Sequence, residues 1–288
     1  MANLLRTLIP LLSSIVVLLL LATARSQSTS FTYHFPSEEN DDPPRKLKYQ
    51  GDAQFNWHSY SLRLTEPTPG KTGKAVGRVI YSSPVYFWRP GGKSTSELPS
   101  AQLWQTGGQV DFETTVEFII TPARGKSVAA DGITFFVAPV GSTIPSDSGG
   151  ANLGIFNCSG GSPSVFAVEI DTYGNGEWEP DYPHIGIDIG SRLSRNTTQV
   201  DSSIIGQQVT ATINYAAATK MIAVRVTAGS KTFEVSYEYD LSSFLPQSVQ
   251  VGLSAATGEF VASHEIKAWY FTATLVSNSA GNNIRQYV

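Results

Sequence analysis

Three consecutive runs of alternating apolar and polar residues constrain this chain more than any other feature. Val209, Ala211, Ile213 and Tyr215 alternate with polar or small neighbours, and so do Ile222, Val224 and Val226. Phe233, Val235, Tyr237 and Tyr239 then alternate against Thr232, Glu234, Ser236 and Glu238. A period of two buries one face of a strand and wets the other, so the runs predict an antiparallel meander. Further strands are predicted over 76–88, 110–121, 133–140, 165–173 and 266–276. No stretch sustains a 3.6-residue period, and the segment 240–245 before Pro246 supports one helical turn at most. The expected fold class is all-β, an antiparallel sandwich in one domain, because sandwiches run to roughly 200–250 residues undivided.

Cys158 is the single cysteine. No internal disulfide can staple the fold, so a large apolar core must hold it. The net charge is -4 without basic clusters, which argues against nucleic acid and acidic membranes as partners. Arg6 followed by the apolar stretch 8–22 reads as a secretory signal. Two small-x-small sites follow, Ala22-Thr23-Ala24 and Ala24-Arg25-Ser26. Cleavage is expected after Ser26, giving a signal peptide over 1–26, a domain over 27–276 and a polar tail over 277–288. The alternative is an uncleaved anchor. No later segment is apolar enough to span a bilayer, and the expected destination is extracellular or vacuolar through the secretory pathway. Asn196-Thr197-Thr198 and Asn157-Cys158-Ser159 are sequons, so Asn196 and, after it, Asn157 are expected glycosylation sites.

The chemistry concentrates in one segment. Glu169-Ile170-Asp171-Thr172-Tyr173-Gly174-Asn175 is followed by Trp178-Glu179-Pro180 and His184-Ile185-Gly186-Ile187-Asp188. In a strand, residues i and i+2 face the same side, so Glu169 and Asp171 project together, roughly 6.5–7 Å apart. Like charges held that close repel unless a cation or a proton sits between them. Glu169, Asp171 and Glu179 with Asn175 and His184 suit a hard or borderline divalent ion rather than a thiolate-loving one. A polar strand end with solvated carboxylates is the bland alternative. The long irregular stretches 141–151 and 173–183 are the expected functional loops.

Other motifs fail on spacing. Gly91-Gly92-Lys93-Ser94-Thr95 looks like the end of a phosphate-binding loop, but Phe87 stands where that motif needs its first glycine. Asp147-Ser148-Gly149-Gly150 resembles a protease nucleophile turn, yet no histidine sits in a base motif. Glu169-Ile170-Asp171 opens the E-x-D-x-x-E pattern of sandwich-fold glycosidases. The second Glu would fall at Gly174 or Asn175, neither of which can carry the proton. No enzyme activity is expected.

Taken together, these residues resemble the legume lectin family over nearly the whole chain. The resemblance is carried by Gln50-Gly51-Asp52-Ala53, Val76-Gly77-Arg78-Val79-Ile80-Tyr81-Ser82 and Ala130-Asp131-Gly132-Ile133-Thr134-Phe135-Phe136-Val137-Ala138-Pro139. Gly149-Gly150-Ala151-Asn152-Leu153-Gly154-Ile155-Phe156, Val168-Glu169-Ile170-Asp171-Thr172-Tyr173, Val251-Gly252-Leu253-Ser254-Ala255 and Trp269-Tyr270-Phe271 complete it. It implies a concanavalin A-like jelly roll with a flat back sheet and a curved front sheet, and paired manganese-like (Mn2+) and calcium (Ca2+) ions beside a sugar pocket. Glu169, Asp171, Glu179 and His184 would hold the transition ion, with Ser194 reaching it through water. Asp171, the Tyr173 carbonyl, Asn175 and Glu179 would hold calcium.

The implied sugar pocket comprises Asp131, Asn175, the Ala151 N–H and the Tyr173 ring, with Asp131 following a cis peptide. The loop over 256–261, with Gly258, Glu259 and Phe260, lies where the family selects its monosaccharide, and its shortness points to mannose or glucose. Partners implied are glycans or glycoproteins and a second copy through the back sheet. A storage or defence protein of the same fold without sugar binding is the alternative. Glu179 departs from the family's Asp, and Ala151 from its frequent Gly.

Overall fold

Alternation is strictest in the strand Gly108–Pro122, where every second residue from Val110 to Ile120 is buried and the residues between them are not. Gln208–Ala216 and Met221–Ala228 repeat the pattern. These strands lie side by side in an antiparallel sheet ordered Lys231–Glu238, Met221–Ala228, Gln208–Ala216, Gly108–Pro122, Ala262–Ser277, Ser61–Thr65, Gln54–Asn56. The strand Ser28–His34 also pairs with Ala262–Ser277. The expected meander 209–239 is therefore present, its solvent side polar.

The computed structural model describes residues 28–35, 44–57, 60–66, 74–90, 107–177 and 179–277. The expected signal peptide, the tail beyond Ser277 and the turn at Gly91 to Thr95 lie outside the described residues.

The second antiparallel sheet runs Asn196–Gln199, His184–Ser191, Gly161–Asp171, Gly132–Pro139, Ser248–Ala256, Val76–Tyr81, Leu47–Gly51. Its central strands do not alternate: Gly132 to Ala138 is buried on both faces. One face carries Ile133, Phe135, Val137, Phe166, Val168 and Ile170 into the core between the sheets, where Trp269 and Phe271 oppose them. The other face carries Phe136, Ala138, Val165 and Ala167 under a layer of loop formed by Leu153, Ile155 and Phe156. Full burial of Phe136 and Phe156 contributes about 1.5–3 kcal/mol each, which is how an irregular segment can be held flat against a sheet. The two packed sheets are a jelly-roll sandwich.

Ser28–His34, Leu47–Gly51, Ser61–Thr65 and Ser248–Ala256 are strands that the sequence reading did not name, and one expected strand is broken in the structure. The stretch 76–88 is not continuous but splits into Val76–Tyr81, Val85–Tyr86 and Trp88–Arg89. Pro84 lacks the N–H a ladder needs, and it stands in the break. The segment 240–245 holds one turn of 3-10 helix, Leu241–Ser243, capped by the Asp240 carboxylate accepting from the Ser242 N–H.

Candidate functional site

Cross-strand register assembles the acidic cluster. Asp171 pairs with His184, Glu169 with Gly186 and Ala167 with Asp188. Ala167 belongs to the loop-facing cluster, so Glu169, Asp171, His184 and Asp188 project away from the core, on the side the period of two assigns. All four are buried. A Cβ at position 186 would collide with both Glu169 Oε1 and Ser194 Oγ, so the missing side chain of Gly186 is the hole in which these two groups meet.

Ligand atoms of Glu169, Glu179 and His184 lie within 4.8 Å of one another. His184 Nε2 stands 3.2 Å from Glu169 Oε1, and its Nδ1 stands 3.1 Å from the Tyr182 carbonyl. That carbonyl can only accept, so Nδ1 carries a proton, the usual support for a metal-binding histidine. Nε2 faces a carboxylate: burial lowers this imidazole, but the hydrogen bond and charge of Glu169 outweigh burial and hold it above its ordinary range until a cation takes the place of the Nε2 proton. Ser194 Oγ lies 2.7 Å from both Glu169 Oε1 and Asp188 Oδ1. Asp171 is not in the tight triplet. Its Oδ1 accepts from the Tyr173 N–H at 2.6 Å, and its Oδ2 is buried without a hydrogen-bond partner.

Electrostatics leave this cluster incomplete as it stands. Burial, then the charge of Glu169, holds Asp171 and Asp188 well above the usual carboxylate range. Burial also pushes Glu179 up to about 7, against the stabilising hydrogen bond from Asn175. Buried carboxylates that repel one another must be neutralised by protons or cations. The donor set is all oxygen plus one imidazole, and Asp171 offers an unpartnered oxygen. These residues fit divalent cations.

Asn175 differs from its implied orientation. Its amide Nδ2 donates to Glu179 Oε1 and lies 3.4 Å from the Tyr173 carbonyl, so the donor assigned to a sugar hydroxyl is spent inside the loop. The cause is charge: the Glu179 carboxylate attracts N–H, whereas a cation among these groups would attract the amide oxygen. The Asn175 head group, the Tyr173 carbonyl and Glu179 nevertheless converge, as a calcium shell requires.

The second constellation sits at the shared end of three strands. The Asp131 N–H donates to the Ala256 carbonyl at 2.9 Å, and the Asp131 carbonyl accepts from the Thr172 N–H at 2.7 Å and hydroxyl at 2.6 Å. The Ala130–Asp131 peptide is cis. Asp131 is 3% exposed, yet its Oδ2 has no hydrogen-bond partner. Burial pushes this carboxyl up to about 7; Lys74 opposes the shift, while Glu179 and Glu259 reinforce it. A Cβ on Gly258 would come within 2.5 Å of Asp131 Oδ2, so only glycine lets the loop approach so closely. Ala151 lies in a short 3-10 turn, Gly150–Asn152, docked by the Gly150 N–H on the Thr257 carbonyl at 3.2 Å. The Tyr173 hydroxyl donates to Glu259 at 2.8 Å, and its ring centroid is 5.6 Å from that of Phe260. Contacts thus link Asp131 to Gly258 and Gly150, and Tyr173 to Glu259 and Phe260, with the Asn175 amide 3.4 Å from the Tyr173 carbonyl.

The sequons behave differently. Asn196 is exposed, and its Nδ2 donates to the Ser236 carbonyl at 2.8 Å. Asn157 accepts from the Ser159 N–H, the Ser159 hydroxyl and the Gly161 N–H, which makes it a turn former. Sequence reasoning missed Asp188, Gly186, Thr172 and Thr257. Asp188 was within reach, since it alternates with His184 along one strand.

The chain matches the legume lectin domain over residues 28–286. It is 34% identical to agglutinin-2 of Cladrastis kentukea, over 97% of this chain and 94% of that protein. Identity is also 34% to the alpha-methyl-mannoside-specific lectin of Arachis hypogaea, over 95% of each chain. Among solved structures, winged bean acidic lectin complexed with methyl-alpha-D-galactose superposes with a TM-score of 0.70 at 34% identity, over 87% of this chain and all of that one. Homology, sandwich and site converge: this chain belongs to the legume lectin family and is a carbohydrate-binding lectin, not an enzyme.

Proposed function

We propose that the chain is a secreted, metal-supported lectin that takes mannose or glucose residues of glycans at the opening around Asp131. The buried, unpartnered Asp131 Oδ2 carries this reading, because it is an acceptor held in place for a hydroxyl donor. A carboxylate can accept two hydroxyls at once and so orient a sugar ring. The Ala151 N–H would supply one donor, and Asn175 a second once a cation draws its amide oxygen inward and frees its Nδ2 from Glu179. The faces of Tyr173 and Phe260 would supply an apolar platform for sugar C–H groups.

Calcium would be held by Asp171, the Tyr173 carbonyl, Asn175 and Glu179, and a manganese-like ion by Glu169, Asp171, Glu179 and His184, with Ser194 beside it. The bound ions would neutralise the carboxylates and fix the irregular segment that carries Tyr173 and Asn175. Mannose or glucose is favoured by the short loop at Gly258 and by the Arachis hypogaea relative; the winged bean relative was solved with a galactoside. Affinity of one site for a monosaccharide is expected near ~1 mM, about 4 kcal/mol. Pairing of copies through the first sheet would raise it by multivalency.

Titration with methyl α-D-mannoside, methyl α-D-galactoside and methyl α-L-fucoside tests the reading. Binding of the mannoside well above the other two supports it. Preference for either rival assigns the other sugar class, and no binding of any sugar points to a silent pocket on a storage or defence protein.

A further inference from the structure

Lys74 stands beside the Asp131 constellation, a neighbour that neither the motifs nor the acidic cluster revealed. Its backbone is pinned to the sugar-selecting loop: the Ala75 N–H donates to Thr257 Oγ1 at 2.8 Å, and the Thr257 N–H donates to the Ala75 carbonyl at 2.9 Å. Thr257 is fully buried and also accepts from the Gly150 N–H. The segments bearing Lys74, Ala151 and Gly258 are therefore stitched together at one residue, and the base of the lysine is fixed relative to Asp131.

Two successive glycines clear its path. A Cβ on Gly149 would lie 2.9 Å from Lys74 Cβ and 3.2 Å from its Cδ, so the aliphatic stem runs over a residue without a side chain. A Cβ on Gly150 would lie 3.9 Å from Lys74 Nζ and 3.9 Å from both oxygens of Asp131. Ammonium and carboxylate thus both stand over the bare face of Gly150. The ammonium acts on the Asp131 carboxyl through its charge, opposing the upward push of burial, without a hydrogen bond to it: Asp131 Oδ2 is left without a partner.

We infer that Lys74 is a specificity-determining residue, and that the preferred glycans carry an anionic group, a carboxylate or a sulfate, beside the hydroxyls taken by Asp131. The inference rests on the sugar pocket proposed above. The two charges divide the ligand between them. Asp131 only accepts, so it needs hydroxyl donors. Lys74 offers three donors and no acceptor, so it needs an acceptor-rich group, and a charged acceptor gains most from it. A ligand that presents hydroxyls on one edge and an acid on the adjoining edge satisfies both.

The test uses an array of neutral glycans, each printed beside counterparts that differ by one carboxylate or by one sulfate, probed with the calcium-loaded full chain. Wild type is expected to favour the acidic member of a pair by about tenfold at low salt, the scale of one charge-assisted hydrogen bond. The preference should shrink as salt rises. Separate carboxylate and sulfate arms identify which acid is read. In Lys74→Gln the acidic-to-neutral ratio should fall to about one, whatever happens to absolute affinity, and Lys74→Arg should keep a ratio above one. No preference in wild type, or an undiminished ratio in Lys74→Gln, overturns the inference. Failure of wild type to bind any glycan would instead remove the underlying pocket.

Discussion

The Tyr173 hydroxyl donates to the Glu259 carboxylate at 2.8 Å, joining the segment that follows the acidic strand to the loop over 256–261. In the proposed function one aromatic residue thereby serves two constellations, its carbonyl facing the cation cluster and its ring the sugar. Whatever orders the cluster also orders the pocket. Tyr173→Phe keeps the ring and removes the tie, so monosaccharide affinity should fall about three- to fivefold, the worth of one partly solvated hydrogen bond. Tyr173→Ala removes the platform as well and should cost more. Parallel calorimetry of the two variants checks the order.

Gly258 predicts a steric effect. Because a Cβ there would come within 2.5 Å of Asp131 Oδ2, Gly258→Ala must displace either the loop or the carboxylate. Sugar affinity should drop at least about tenfold, roughly 1.4 kcal/mol, because the carboxylate and the loop no longer stand where one sugar meets both. Thermal unfolding should stay nearly unchanged, since the residue lies in a loop outside the core. Equal losses of affinity and stability would mean that the loop braces the fold rather than the pocket.

Proton linkage gives a third prediction. Asp131 and Glu179 are raised to about 7 in the folded chain without cations. The folded state then binds more protons than the unfolded one between their ordinary values near 4 and about 7. This contribution to stability is present at low pH and lost as pH rises through 7. Cation binding would replace the proton of Glu179, the one of the two placed among the ligands. Chelated protein should therefore lose melting temperature between pH 5 and 8 relative to calcium-loaded protein, and a gap that stays constant with pH would contradict the cation assignment.

His264 titrates in the opposite sense. Thr65 Oγ1 donates to the Ala262 carbonyl at 2.9 Å and so accepts from His264 Nδ1–H at 2.7 Å, leaving Nε2 buried without a partner. Burial pushes this imidazole from its ordinary 6.5 down to about 3. The unfolded chain takes up a proton that the folded chain refuses, so stability present above 6.5 declines as pH falls toward 3, by ~1.4 kcal/mol per pH unit. His264→Asn keeps a donor for Thr65 and cannot titrate. The stability of wild type relative to this variant should fall between pH 6.5 and 4, and a flat difference would show that the imidazole finds a partner when charged.

The period of two made the common face of Glu169 and Asp171 legible in the sequence, along with the meander from Val209 to Tyr239. Hidden were relations set by register between distant strands. Gly186 reads as a weak spot in a strand until its pairing with Glu169 shows that the cluster occupies its side-chain space. Lys74 lies 57 positions before Asp131 in the chain, and only the pairing of Ala75 with Thr257 brings it to the pocket. The side-chain orientation of Asn175 could not be read either, because it depends on whether a carboxylate or a cation faces the amide.

Calorimetric titration of methyl α-D-mannoside into the same preparation, first calcium- and manganese-loaded, then exhaustively chelated, then reloaded, tests the central claim most directly. The account predicts weak, saturable binding that disappears on chelation and returns with the ions, because Tyr173 and Asn175 lose their places when the carboxylates lose their cations. Unchanged affinity in verified metal-free protein would contradict it and leave Glu169, Asp171 and Glu179 as a polar strand end.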